Sequence, residues 1–324
     1  MEERQLGRSG VTITRIALGC GNFGGIGSAP ELFGQGTDRD EAFRIMDAAW
    51  DLGLTTFDTA DAYGGGRSEH TIGAWLRTKS ASVRSQLTIV SKTFNPMAAG
   101  EDRGLTRPRI LRQIETSLRR LGVERIAGYM AHDFDPEVPQ EETLIAFDEL
   151  VRAGKIGCTG ASNFSAEQLA EALELAELEG VSRYEVVQNE YNLLAQGDRE
   201  TVFHVCRERE VAYQAFGPLA GGWLTGKYRP DEAPPVGSRM TLRPGPYERF
   251  RNERVYAAVD AFCAAAAVRG ASPAALALAW LLADDDVASV VIGPMGVSHL
   301  DAVAEALELR LDPDDAAELS GMFA

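Results

Sequence analysis

What most constrains the fold of this chain is an alternation. Short apolar runs of β character recur between longer amphipathic segments along nearly its whole length. The runs cover residues 15–20, 54–58, 87–91, 126–131, 156–160, 186–188, 211–215 and 289–292. Each is brief and rich in β-branched residues, the pattern of strands buried on both faces. The segments between them carry helix-start signals. Asp38 opens 41–52, Ser68 opens 69–76, Thr106 with Pro108 opens 109–121, and Ser165 with Glu167 opens 166–178. Gly53 and Gly122 suit helix C-termini. Eight strands separated by helices favour an α/β fold of the closed (β/α)8 (TIM) barrel type over an open, doubly wound sheet. Residues 11–15 and their flanks add an N-terminal β-hairpin closing the barrel bottom. No repeat or linker divides the chain, so residues 1–324 read as a single barrel domain with long loops on its C-terminal face.

Composition narrows the function. With 32 Lys+Arg against 48 Asp+Glu, the net charge is −16, which argues against a nucleic-acid partner needing a basic face. Cys20, Cys158, Cys206 and Cys263 are widely spaced and suggest neither a disulfide framework nor a metal site. The N-terminal segment lacks an apolar signal core, and the longest apolar stretch, 274–283, is about half a membrane span. A cytoplasmic protein without membrane partners is expected. No exposed apolar stripe separates an oligomer interface from the core faces of the helices, so no oligomeric state is assigned.

Residues 217–255 break the alternation. Rich in Pro and Gly, they carry Arg239, Arg243, Arg249, Arg251 and Arg254. A connection this long in a compact barrel is usually functional or disordered. Its arginines suit an anionic ligand and equally a solvated charge cluster. Two glycine motifs invite phosphate readings that fail on context. Gly19–Gly24 matches G-x-G-x-x-G, but no helix can begin in the Gly-rich residues that follow. Residues 221–227 match G-x-x-x-x-G-K, but Tyr228 stands where a Ser or Thr must hold Mg²⁺.

The polar residues fall in register. Asp58, Lys92, His132, Ser162, Asn163 and Gln188 all end or follow strand runs, on the face where barrel enzymes work. Tyr63 lies five residues beyond Asp58. Singly, each has a plain structural reading: a cap, a solvated lysine, a satisfied histidine, a packed tyrosine. Six in register do not.

Together these residues resemble the aldo-keto reductase family of NAD(P)H-dependent (β/α)8-barrel oxidoreductases. The likeness rests on FDTADAYGGGRSE (57–69), SKT (91–93), AHDFD (131–135), GASNFS (160–165), VVQNEYNLL (186–194), FGPLAGGWLTGKY (216–228) and SVVIGP (289–294). It is closest in kind to the branch holding potassium-channel β subunits and bacterial sugar and aldehyde reductases.

The resemblance implies that Asp58, Tyr63, Lys92 and His132 are catalytic. Tyr63 would be the acid/base, with Lys92⁺ favouring its phenolate, Asp58 holding Lys92, and His132 orienting the carbonyl oxygen. Ser162, Asn163 and Gln188 would meet the nicotinamide carboxamide, Phe216 would stack on the ring, and Gly21, Asn22 and Phe23 would lie beside it. Gly217, Pro218, Leu219, Ala220, Gly221 and Lys227 would wrap the pyrophosphate. Arg239, Gly293, Met295 and His299 would face the adenosine.

Where the family commonly offers polar or basic residues at that end, this chain reads Met295, His299, Ala302 and Val303. NADPH is the family's expectation; the weakly basic 2′-phosphate site leaves NADH open. Phe33, Phe94, Phe134 and Trp223 are candidate walls for an aldehyde, ketone or sugar. Two further readings stay open: an oxidative NAD-dependent sugar dehydrogenase and a cofactor-sensing regulatory subunit.

Overall fold

A computed structural model describes residues 1–101 and 103–324. Two short strands come first, β1 (Glu3–Gln5) and β2 (Thr12–Thr14), paired antiparallel. Eight parallel strands follow: β3 (Ile16–Gly19), β4 (Thr56–Asp58), β5 (Thr88–Thr93), β6 (Ile126–Ala131), β7 (Ile156–Ser162), β8 (Tyr184–Glu190), β9 (Ala212–Phe216) and β10 (Val287–Ile292). They close into a barrel in chain order, with β10 pairing β3. All eight predicted strands exist and the (β/α)8 barrel is the fold. The expected hairpin is present at the barrel bottom.

The helices are α1 (Arg39–Asp51), α2 (Arg67–Leu76), α3 (Ala81–Gln86), α4 (Arg107–Leu121), α5 (Gln140–Arg152) and α6 (Ala166–Glu179). Then come α7 (Val202–Arg209), α8 (Arg239–Leu242), α9 (Glu253–Val268), α10 (Pro273–Leu282), α11 (Asp301–Glu308) and α12 (Pro313–Gly321). Asp38 caps α1 by accepting from the Glu41 amide, and Ser165 caps α6 in a reciprocal box with Gln168. Gly122 ends α4 in the left-handed conformation. Ser68 is not a cap. It lies inside α2, buried, donating to the Cys20 carbonyl at 2.9 Å. No single helix among the described residues is long and apolar enough to cross a membrane, and the apolar stretch forms the buried α10.

The barrel interior is layered. At the bottom Leu6 and Ile13 of the hairpin pack on Val90, Met130, Cys158 and Val186, a dry plug. Above it polar side chains link strands: Gln188 donates to Gln214 (2.6 Å), Gln214 to Ser289 (3.4 Å), and Ser289 to the Thr14 carbonyl (2.8 Å). Buried polar groups are tolerated because they are bonded to one another. This column leads up to the strand C-termini.

Candidate active site

Each strand delivers side chains to the C-terminal mouth. Asp58 ends β4, Lys92 lies one residue from the end of β5, and His132 follows β6. Lys92 is wholly buried, and its Nζ donates to Asp58 Oδ1 (2.5 Å) and the Thr59 carbonyl (3.0 Å). The second Asp58 oxygen accepts from Gln188 Nε2 at 2.8 Å. An isolated buried ammonium is very costly, so this pairing is what permits it.

Tyr63 sits on the turn between β4 and α2. Lys92 Nζ lies 5.4 Å from its ring centroid, close enough for the two side chains to shift each other's titration. The His132 ring meets Tyr63 edge-on at 5.4 Å. The fold therefore gathers the four residues Asp58, Tyr63, Lys92 and His132 into one cluster.

Their electrostatics follow from burial and charge. Burial opposes the Lys92 charge, yet Asp58 and Tyr63 together hold its pKa above the ordinary lysine value. Burial raises the Tyr63 phenol, against the pull of Lys92. Lys92 pulls the phenol toward its phenolate, but desolvation weighs more, so the pKa stands above the ordinary tyrosine value and the resting side chain is a neutral phenol. His132 is driven well below its ordinary value, by burial first and Lys92 second, so it is a neutral imidazole. Its Nδ1 is buried without a hydrogen-bond partner among the described residues.

Around this cluster lie the other candidates. Ser162 is buried at the end of β7. The next residue, Asn163, takes a left-handed φ of 60° and donates to the His132 carbonyl at 2.9 Å, tying two strand ends together. Phe216 ends β9 half-buried. After it Gly217, Ala220, Gly221 and Gly222 all adopt positive φ, producing an irregular turn through Pro218 and Leu219. A Cβ on Gly221 would come within 2.6 Å of the Tyr247 ring.

Lys227, Arg239 and His299 lie close enough to influence one another. After burial, Arg239 lowers Lys227, and Lys227 lowers His299. Arg239 donates to Asn22 Oδ1, while its Nη1 is buried with no hydrogen-bond partner among the described residues. Asn22 in turn donates to the Gly293 carbonyl at 3.1 Å, joining the first and last strand loops. Met295 donates its amide to His299 Nδ1 at 3.2 Å. Gly21 faces Tyr63: a Cβ there would stand 3.5 Å from its ring. Phe23 is fully buried, so it supports this loop from below.

The arginine-rich segment divides. Arg249 pairs with Glu190 (2.5 Å), Arg251 with Glu248 (3.7 Å), and Arg254 donates to the Ala324 carbonyl. Arg239 and Arg243 remain at the mouth, the latter beside Gly27.

Of the proposed walls, Phe33 packs over Gly65 and Phe134 against Phe164. Phe94 is buried beneath the Arg103 guanidinium, 6.0 Å from its ring. Trp223 is 1% exposed amid Tyr228, Phe250 and Tyr256. So enclosed, it packs beneath the 217–227 turn. Val303, at the expected adenosine end, is core.

Sequence reasoning missed Gln214, Tyr247 and the buried carboxyls Asp61 and Glu69. Gln214 had a signal, a lone amide in an otherwise apolar strand. Asp61 accepts from Thr93 (2.7 Å), next to Lys92, and burial with Glu69 nearby raises its pKa to about 7.

Comparison with known proteins accords with this geometry. Residues 15–322 match the model of the Aldo/keto reductase family. The oxidoreductase YrpG of Bacillus subtilis is 33% identical, covering 100% of this chain and 96% of its own. L-glyceraldehyde 3-phosphate reductase of Escherichia coli is 32% identical over 95% of this chain and 88% of its own. A Schizosaccharomyces pombe protein, whose name places it with voltage-gated potassium channel β subunits, is 31% identical over 96% and 90%.

Proposed function

The chain belongs to the aldo/keto reductase family and is an NAD(P)-dependent oxidoreductase, and from that premise we propose that it reduces aldehyde or ketone carbonyls, reversibly, with Tyr63 as the proton donor. The observation that carries this reading is the buried Lys92–Asp58 pair under Tyr63, with neutral His132 against the same ring. A bound nicotinamide dinucleotide supplies or accepts the hydride.

Everything else falls to the chain's own side chains. A carbonyl gaining hydride becomes an alkoxide and needs a proton at oxygen. The neutral Tyr63 phenol holds that proton at pH 7, since its pKa lies above the ordinary tyrosine value. Lys92⁺ stabilises the phenolate left behind, so the transfer does not strand a bare anion. Asp58 keeps Lys92 charged and aimed. His132 donates to the same carbonyl oxygen and fixes its approach. Asn163, bonded to the His132 backbone carbonyl, holds the strand end from which the imidazole projects.

The mouth fits a dinucleotide. The glycine-built turn 217–222 lets backbone approach phosphates closely, and Lys227 and Arg239 supply charge. The unpartnered Arg239 Nη1 calls for an anionic oxygen, which favours NADPH over NADH. Ser162, Asn163, Gln188 and Phe216 would meet the nicotinamide, with Gly21 and Asn22 beside it. Gly293, Met295 and His299 would meet the adenosine end.

The test is a panel of aldehydes, ketones and sugars followed at the nicotinamide absorbance, in both directions and with both cofactors. Carbonyl reduction with a higher kcat/KM for NADPH is expected. Hydride transfer confined to sugar oxidation with NAD⁺ would overturn the direction and the cofactor preference together. Nucleotide binding without turnover on any substrate would favour a sensing role.

A further inference from the structure

On the barrel's N-terminal face, opposite the mouth, a cleft of about 210 Å³ lies between the α2–α3–β5 connection and the α4–β6 turn. Its floor is apolar, formed by Leu76, Ile89 and Leu121. Its remaining character comes from Arg77, Arg84 and Arg125. Arg77 caps the C-terminus of α2, Arg84 lies on α3, and Arg125 precedes β6.

None of the three guanidinium groups has a hydrogen bond or ion pair among the described residues. This departs from the habit of the molecule. On neighbouring surfaces Arg107 pairs with Glu149, Arg152 with Asp148, and Arg207 with Asp286. With a net charge of −16, carboxylates are plentiful. The acid nearest in sequence, Glu124, forms no ion pair with Arg125.

Helix ends partly explain basic residues here. α2, α3 and α4 all terminate at this face, and each C-terminus carries roughly half a negative charge. Three such ends offset only about half the charge of three guanidinium groups. The cleft keeps a net positive field over an apolar floor.

We infer that this cleft is a second ligand site, distinct from the mouth, for a small organic phosphate. Its phosphoryl group would lie on the Arg77 and Arg84 guanidinium groups and its body on the Leu76–Ile89–Leu121 floor, with Arg125, whose Nη2 lies beside Gly157, swinging in from the rim. Guanidinium forks match phosphoryl oxygens two at a time, which a lone ammonium does not. The volume admits a phosphate ester with a small apolar body and excludes a dinucleotide. The site needs no hydride chemistry and stands independently of the function proposed above.

The test is titration calorimetry at low salt on the full-length protein saturated with NADP⁺, which fills the phosphate-binding mouth, with inorganic phosphate, phenyl phosphate, benzoate and phenol as probes. Phenyl phosphate should bind at one site, more tightly than inorganic phosphate, and phenol should not bind. R77Q, R84Q and R125Q should each weaken it by about tenfold, the worth of one charge-assisted contact, while K227Q at the mouth leaves it unchanged.

All three arginines are solvent-exposed, so these variants should keep the wild-type melting temperature. As a second readout on the wild-type protein, phenyl phosphate should protect Arg77, Arg84 and Arg125 from phenylglyoxal, mapped by peptide mass. Loss of binding in K227Q, full binding in the triple variant, or unprotected arginines would each overturn the site. Benzoate binding as tightly as phenyl phosphate would overturn its assignment to a phosphoryl group.

Discussion

Two residues expose the electrostatic logic of the site. Tyr63 is kept neutral by burial and made useful by Lys92. Removing its hydroxyl in Tyr63→Phe should cut kcat by about 10²–10⁴ while cofactor affinity, read by fluorescence titration, changes little. Unaltered turnover would remove Tyr63 from the chemistry. Asp61 bears on stability instead. Its carboxyl titrates at about 7 in the fold, because burial and Glu69 disfavour its charge, against about 3.9 when unfolded. A raised carboxyl stabilises the fold only while protonated, so its contribution is complete below about pH 4 and is lost as pH rises through 7. Asp61→Asn should therefore flatten the fall in melting temperature between pH 5 and 8. An unchanged slope would show that another group governs it.

At the level of elements, the turn after β9 is the most constrained. Gly221 has φ +65° and faces Tyr247. Gly221→Ala combines backbone strain of about 1 kcal/mol or more with a steric clash. The expected signature is a rise in cofactor KM of tenfold or more with kcat largely kept. Arg249–Glu190 straps the overlying segment to β8. Arg249 is half-exposed, so the pair is worth at most about 1 kcal/mol. Arg249→Ala should leave the melting temperature nearly unchanged and speed cofactor release, measured by stopped-flow fluorescence.

These elements also mark how far the sequence could be read. The strands at 126–131 and 156–160 were legible because burial on both faces leaves unbroken apolar runs. β8 runs wider than the expected 186–188, since Glu185 at one end and Asn189 and Glu190 at the other interrupt the apolar run with residues depleted in strands. Ser68 misled because a hydroxyl before a helical pattern looks like a cap until its long-range partner, the Cys20 carbonyl, is seen. Asp58, Lys92 and His132 were legible from their places at strand ends. The Gln188–Gln214–Ser289 column was not, because barrel register joins residues that no local pattern relates. Nor was the burial of Trp223, since an aromatic in a loop carries no mark of it.

For the molecule as a whole, stability rests partly on the bottom plug, far from the mouth. Leu6 is fully buried there. Leu6→Ala should cost about 2–4 kcal/mol, seen as a lower urea midpoint, with kinetic constants of the folded enzyme preserved. A large loss of kcat without loss of stability would mean that the hairpin acts on the mouth directly.

The pairing of β10 with β3 has a consequence for biogenesis. Ile16 finds its partner Val290 only about 270 residues later in the chain. At roughly 5–20 residues per second, translation leaves that first strand edge open on the order of half a minute. Until then the nascent chain carries an unpaired, fully apolar edge, the kind of surface that holdase chaperones cover. The ring is sealed last where it began first.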